Sequence, residues 1–467
     1  MEKTRDAMTN ETERPPSGRF TIRNLAIPIV LSALIVVGFA VSRNAFQAAR
    51  ETSNAKDSPA QPASCRLVLA PLVGDKPIDR EIAQQQTLIV KGTSTDTAFE
   101  RLGWTFVKKG RISFDAGFYK LAEQCAACIE ARGSRGAEML LLRAHALQSL
   151  HRFDEAEHAA RELINLRQRP FDYGVLGDIL IDQGKVREGA AAYQKMVNLR
   201  PDLQSYARAA HVRWLTGDLV GAIELMKLAT TAGSPNDPEA AAWSFTRLAL
   251  YQLQHGATKR ALESCDAALS LQSDYAPAML ARGRTLLALN RSADAVVDLQ
   301  RAAEFNPLPE YQWALADALT VAGHRDQAAE IEAQLTGGSG TDDPRTLSLY
   351  LATRGQDVER AVRLAQQELT DRRDVFTHDA VAWALAAAGR RTEAQHHMDQ
   401  ALSERTADAR LYLHAGVIAA LNNDRNQARR WLDLAAVTQQ TLLPSERVQL
   451  EASRQCIKKT CEPFPTR

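Results

Sequence analysis

Two cysteines three residues apart carry the first chemistry the sequence offers: in LAEQCAACIEARG, Cys125 and Cys128 form a CxxC. That spacing serves thiol redox centres and supplies half of a zinc site. Its value depends on the element that holds it. A redox thiolate draws its low pKa from the unpaired N–H groups of a helix N-terminus, an effect that fades beyond the first turn. Three readings stand open: buried structural thiols, a redox or metal centre, and pairing of one of the two with Cys65.

The remaining reactive residues form no obvious constellation. A closed zinc site needs four ligands, and the other cysteine pair, Cys456 and Cys461, stands at the far end of the chain. These two flank IKKT and are a candidate disulfide, which in an oxidising compartment would contribute about 2 kcal/mol. His396 and His397 are adjacent, so on a helix they point about 100° apart. The chain contains no GxxxxGK[ST] loop, GxSxG elbow or HExxH pair, so the common nucleotide-binding, hydrolase and metalloprotease mechanisms find no support. We expect no enzymatic activity, no cofactor, no metal and no small-molecule substrate. Lys plus Arg (57) and Asp plus Glu (56) nearly cancel, which removes the electrostatic case for nucleic acid.

The elements around these residues begin with an apolar run. LAIPIVLSALIVVGFAV, residues 25 to 41, is interrupted only by Pro28 and Ser32, and as a helix it would span about 26 Å, close to a hydrocarbon core. Five basic residues precede it and three follow closely (Arg43, Arg50, Lys56), so the positive-inside rule favours a cytoplasmic N-terminus. A cleaved signal, with small residues near Ala45 to Ala49, and a buried core helix are the rivals. The expected organisation is a cytoplasmic tail over 1–24, a transmembrane anchor over 25–42, a polar linker over 43–77, a helical body over 78–443, and a capping helix with a tail over 444–467. Within the last segment Ser445 is a candidate N-cap. The corresponding location is a bacterial inner membrane crossed once, with most of the chain periplasmic.

The body repeats. PFDYGVLGDILIDQGKVREGAAAYQKMVNLRP, LQSYARAAHVRWLTGDLVGAIELMKLA and APAMLARGRTLLALNRSADAVVDLQRAAEFNP share a small residue (Gly177, Ala210, Gly283), a turn (Gly184, Gly217, Asn290) and a second small residue (Gly189, Ala222, Ala295). Pro201 and Pro307 close two of them. This resembles the tetratricopeptide repeat, W-x2-L-G-x2-Y, then A-x3-F, then P. Ten copies begin near Asp96, Ala137, Pro170, Leu203, Ala242, Ala276, Pro309, Asp342, Val375 and Ala409, the first with an insertion around Arg111 to Phe118.

The resemblance implies an all-α, right-handed solenoid of helix-turn-helix units, capped at one end by Ile78 to Val90 and at the other by Pro444 to Cys456, and without a central pocket. In that register helix B of the first repeat begins near Asp115 to Phe118, leaving Cys125 two turns inside it, and Cys265 takes a core position.

The resemblance further implies that positions 2, 5, 9, 12 and 13 of each helix A line a concave groove that holds peptides or extended protein segments. Trp104, Trp214, Trp243, Trp313 and Trp383 all fall there, where about one of the six tryptophans is expected at random for a repeat of about 34 residues. Phe171, Tyr350 and Phe376 join them, with Asp178, His211, Arg284, Asp317 and Asp379 as polar members. The aromatic residues suit partner anchoring, and the competing reading is that some rings fill gaps between successive helices. The leading expectation is therefore a membrane-anchored scaffold or assembly factor for a protein or peptide partner, and the alternative is a thiol-active envelope protein.

Overall fold

The tandem pattern folds as ten antiparallel helix pairs. The computed structural model describes residues 61–234, 236–337 and 343–459; the tail over 1–24, the apolar run 25–42 and Cys461 lie outside them. Helix A of the successive repeats spans Asp96–Ser113, Ala137–Ser149, Pro170–Asp182, Leu203–Leu215, Pro238–Gln254, Ala276–Ala288, Pro309–Ala322, Pro344–Arg354, Val375–Ala387 and Ala409–Leu421. Helix B spans Gly117–Ala131, Phe153–Leu166, Val186–Leu199, Leu219–Thr231, Thr258–Leu271, Ser292–Phe305, Arg325–Gly337, Val358–Asp371, Arg391–Ala401 and Arg425–Val437. The fifth helix A starts four residues before Ala242, at Pro238, whose fixed φ suits a first helical position. No strand occurs among the described residues, and none of their helices is long and apolar enough to cross a membrane.

Local chemistry sets the hairpins. Asp202, Asp237, Asp343, Asp374 and Asp408 cap five of the helices A by accepting backbone N–H bonds. Each A–B turn contains a residue at positive φ: glycine in six repeats (Gly184, Gly217, Gly256, Gly323, Gly355, Gly389) and Phe114, His151, Asn290 and Asn423 in the others, with Asp357 as a second in repeat 8. The small residue of helix A is where a large residue of helix B lands. A Cβ on Gly283 would lie 2.5 Å from Leu299, and one on Gly416 2.6 Å from Leu432. Cys265 occupies the same place on its helix B and is fully buried, which accounts for it as core.

Both ends depart from expectation. Part of the linker is folded: Ala63–Val68 is helical and buries Cys65 and Val68 against repeat 1. Gln86, on the capping helix Pro77–Val90, donates to the carbonyls of Val68 and Ala70 at 2.8 and 2.9 Å. At the other end Ser445 is not the N-cap of helix Pro444–Lys459. It lies one position inside, and Glu446 accepts from the Leu443 N–H at 2.8 Å.

The solenoid also closes on itself. The A–B turns of repeats 3 to 6 meet the inter-repeat loops about five repeats later. Arg373 N donates to Asp182 O (3.2 Å), Thr406 Oγ1 to Leu215 O (2.6 Å), Gln440 Nε2 to Gln254 O (2.8 Å) and Arg284 Nη2 to Thr441 O (2.9 Å). These groups are 157 to 191 residues apart along the chain. Successive turns of the superhelix are thus in contact, and the concave face becomes a lumen.

Candidate functional site

The CxxC resolves first. Cys128 is bonded to Cys65, with their Cα atoms 4.8 Å apart, whereas Cys125 is a free thiol with no exposed surface. Burial pushes the Cys125 thiol well above its ordinary value, away from the thiolate that redox chemistry requires. The structure does not favour the thiol-active reading: one cysteine of the pair is a staple and the other is core. Among the described residues no group of three or more His, Cys, Asp or Glu side chains is placed to hold a metal ion. Cys456 is buried at the end of the capping helix, and its candidate partner Cys461 is outside the described residues.

The lumen is not the pocketless surface expected of a solenoid. It contains three cavities of about 420, 410 and 200 Å³. His211 and Arg247 line both of the first two, and Arg345 and Phe376 line both the second and the third, so the three are adjacent and share walls. The second is bounded by repeats 3 to 5 on one side and by repeats 8 and 9 on the other, where the coil closes, whereas the first is lined by repeats 1 and 3 to 5 and the third by repeats 6 to 10 and the loop after them.

The predicted groove residues divide into three groups. Trp313, Tyr350, Trp383 and Asp317 are buried to within 2%. Trp313 and Tyr350 pack edge to face at 5.5 Å, Arg410 covers the Trp313 ring, and Trp383 lies flat on His414 at 3.9 Å while donating to Thr353. Asp317 accepts from Arg354 and from the backbone of Ser445, joining repeat 7 to the C-terminal helix. These side chains fill the gaps between helices, and so does Asp379, buried and paired to His414 at 2.8 Å.

A second group ties one turn of the coil to the next. Trp214 of repeat 4 stacks on Phe376 of repeat 9 at 5.4 Å, and its N–H donates to Gln254 Oε1 at 2.7 Å. Gln254 in turn donates to the carbonyl of Ala407. Arg284 links Glu310 and Thr441. Removing Trp214 would therefore loosen the coil as well as the groove.

The third group lines open lumen. Trp243 is 37% exposed and borders the cavity of about 420 Å³ with His211, Asp178 and Tyr251. Asp178 is taken by Arg208 (2.6 Å) and by the Tyr193 hydroxyl (2.7 Å). His211 is pushed down to about 4, first by burial and then by Arg247, and so is neutral at pH 7. Near the N-terminal end Trp104, His145 and Phe171 form a three-ring cluster, Trp104 and Phe171 lying 5.4 and 6.4 Å from His145 and 6.3 Å from each other.

Arginines are what the sequence reading missed. Arg111, Arg208, Arg247, Arg345, Arg372 and Arg410 all face the cavities, yet of these only Arg410, at position 2 of repeat 10, falls on a groove position, Arg284 being the single arginine assigned to the groove from the sequence. Arg111 comes from the insertion in repeat 1 and reaches Glu239 of repeat 5 at 2.6 Å, a contact that exists only in the closed coil. His397 sits 3.1 Å from His378, which lines the second cavity. Burial lowers both pKa values, and their proximity lowers His378 further.

No protein-family model matches the chain, and no curated protein matches it. Solved structures do, among them tetratricopeptide repeat proteins. The human IFIT1 dimer with PPP-AAAA is 13% identical over 79% of this chain and 96% of its own, with a TM-score of 0.45. The Cut9–Hcn1 hetero-tetramer of the APC/C is 13% identical over 84% and 98%, at 0.35. A tetratricopeptide repeat protein from Parabacteroides merdae is 17% identical over 55% and 98%, at 0.30. At these identities and scores no partner and no chemistry passes from those proteins to this chain.

Proposed function

We propose that this chain is a non-catalytic scaffold that holds an extended segment of a partner protein in its lumen, with the helical body carried outside a bacterial inner membrane by the apolar run 25–42. The observation that carries the reading is Trp243: a large ring left 37% exposed beside a cavity of about 420 Å³, in a fold that buries Trp313 and Trp383 completely. An exposed indole on a concave wall offers apolar area, a rigid shape and one N–H for a partner carbonyl. The Cys65–Cys128 bond supports an exported body, because disulfides persist in oxidising compartments.

The test places a photo-crosslinking amino acid at Trp243 and, as a control, at Leu228, which is 49% exposed on a helix B. Crosslinking in membranes should give a discrete adduct from Trp243 and none from Leu228. Trp243→Ala should weaken capture of that adduct by about 2 kcal/mol, roughly thirtyfold. Equal labelling from both positions sinks the lumen as the working surface. The anchor is tested separately: without residues 1–60 the body should leave the membrane pellet with its helical circular dichroism intact. A truncated chain that still sediments with membranes disproves that part.

A further inference from the structure

Resting on this reading of the lumen, we infer that Arg247 is a charge anchor, and that the segment held there is acidic, presenting a carboxylate to Arg247 beside an apolar side chain on Trp243. Arg247 lies on helix A of repeat 5, four residues after Trp243, so the guanidinium and the indole share one helix face. The guanidinium carbon is 5.2 Å from the centre of the Tyr251 ring and 5.9 Å from that of Trp214, and Nη2 donates to the Tyr251 hydroxyl at 3.2 Å.

Among the described residues two of the cavity-lining arginines, Arg247 and Arg373, have no ion-pair partner, and Arg373 is exposed whereas Arg247 is half-buried against aromatic rings. Arg111 has Glu239 at 2.6 Å, Arg208 has Asp178 at 2.6 Å, Arg345 has Asp374 at 3.4 Å and Arg410 has Glu446 at 2.5 Å. Arg372 lies 3.7 Å from both Asp182 and Glu368. Among the described residues no carboxylate comes within ion-pair distance of Arg247. Asp178 and Glu239, which line the first of its two cavities, are taken by other arginines. In the second, Asp374 pairs with Arg345 and Asp182 with Arg372, and Glu404 lies outside ion-pair distance of Arg247. His211 beside it is neutral at pH 7 and adds no positive charge there.

A guanidinium held against two rings has lost part of its water and retains N–H donors without an anionic acceptor, and a carboxylate is the group that matches both its charge and its forked geometry. A cationic or uncharged segment would leave the charge unanswered in a confined space. The ring contacts hold the guanidinium in place before the ligand arrives, so little side-chain entropy is lost on binding.

The test uses the purified chain and three series of fluorescein-labelled synthetic peptides that share one leucine-containing frame and differ only in Glu, Gln or Lys at successive positions. By fluorescence anisotropy at low salt the wild type should bind the best Glu peptide about tenfold more tightly than its Gln counterpart, the size of one charge-assisted hydrogen bond. Arg247→Gln should abolish that preference, and Arg247→Glu should shift it to the matching Lys peptide, a gain that a merely destabilised variant could not show. If the wild type binds the Glu and Gln peptides equally, or if Arg247→Gln keeps the preference, Arg247 is not the anchor, and the lumen reading then stands or falls on the Trp243 crosslink. If no peptide binds and the crosslink also fails, both are overturned.

Discussion

Six of the A–B turns carry glycine at positive φ, but only some of those glycines touch the next turn of the coil, and the difference allows closure to be measured. Replacing any of them by alanine places a Cβ in the left-handed region, at a cost of about 1–2 kcal/mol. In Gly323 and Gly389 that is the whole perturbation, because an added Cβ would meet nothing within 4 Å. In Gly217 the Cβ would lie 2.8 Å from the carbonyl oxygen of Arg405, and in Gly184 it would press still closer on that of Arg373. The Arg405 carbonyl would have to withdraw from 2.8 Å to the ordinary contact range that begins at 3.4 Å. The neighbouring bonds, Thr406 to Leu215 and Arg373 to Asp182, would stretch with it. Overpacking of this kind costs about 1–3 kcal/mol more. Urea denaturation should thus rank Gly184→Ala and Gly217→Ala about 1–3 kcal/mol below Gly323→Ala and Gly389→Ala, and small-angle scattering should show expansion in the first pair alone. Equal stabilities, within about 0.5 kcal/mol, with equal radii of gyration, would mean that the turns do not touch in solution, and the lumen would lose its walls.

Non-reducing peptide mapping should link Cys65 to Cys128, with Cys125 and Cys265 alkylated only after denaturation; native-state labelling of Cys125 would refute its burial. Replacing both bonded cysteines by serine should destabilise the N-terminal end by up to about 4 kcal/mol, the loop-closure value for a separation of 63 residues, read as faster hydrogen exchange in Ala63–Val68 and in repeat 1. Burial holds His145 and His211 down to about 4 against 6.5 in the unfolded chain, so the unfolded state takes up protons first. Their contribution is complete above pH 6.5 and falls as pH drops toward 4, by about 2 kcal/mol each at pH 5. Buried acids such as Asp182 and Asp408, whose pKa values burial raises, act in the opposite direction. The measurement is therefore the difference between wild type and His145→Gln/His211→Gln: the variant should lose less stability between pH 7 and pH 5, and parallel curves would contradict the assignment.

Much of the repeat architecture is legible in the sequence. Asp96, Ala137, Pro170, Leu203, Ala276, Pro309, Val375 and Ala409 each begin a helix A, because small residues, turn residues and capping aspartates act within one hairpin or between adjacent hairpins. Where local signals misled, the reason is also local: Ala242 matches the pattern, but Pro238 nucleates the helix a turn earlier, and Ser445 yields the cap position to a backbone contact from Glu446. Periodicity also put the tryptophans on the concave side. It could not say that Trp313 and Trp383 would be sealed in the core while Trp243 stayed exposed, since every helix A presents that side in the same way.

Trp313 and Trp383 are sealed by rings of the next repeat, Tyr350 and His414, whereas closure rests on the rotation between neighbouring repeats, summed over five units until repeat 4 faces repeat 9 and Trp214 meets Phe376. No residue pattern confined to nearest neighbours specifies that sum. The same is true of Arg111 reaching Glu239 and of Arg247 being left without a carboxylate, whereas Cys65 reaches Cys128 by packing locally on repeat 1 from a segment with no periodicity. Repeat identity follows from interactions within about forty residues. The lumen and its charges follow from the curvature of the whole solenoid, which tertiary packing alone decides.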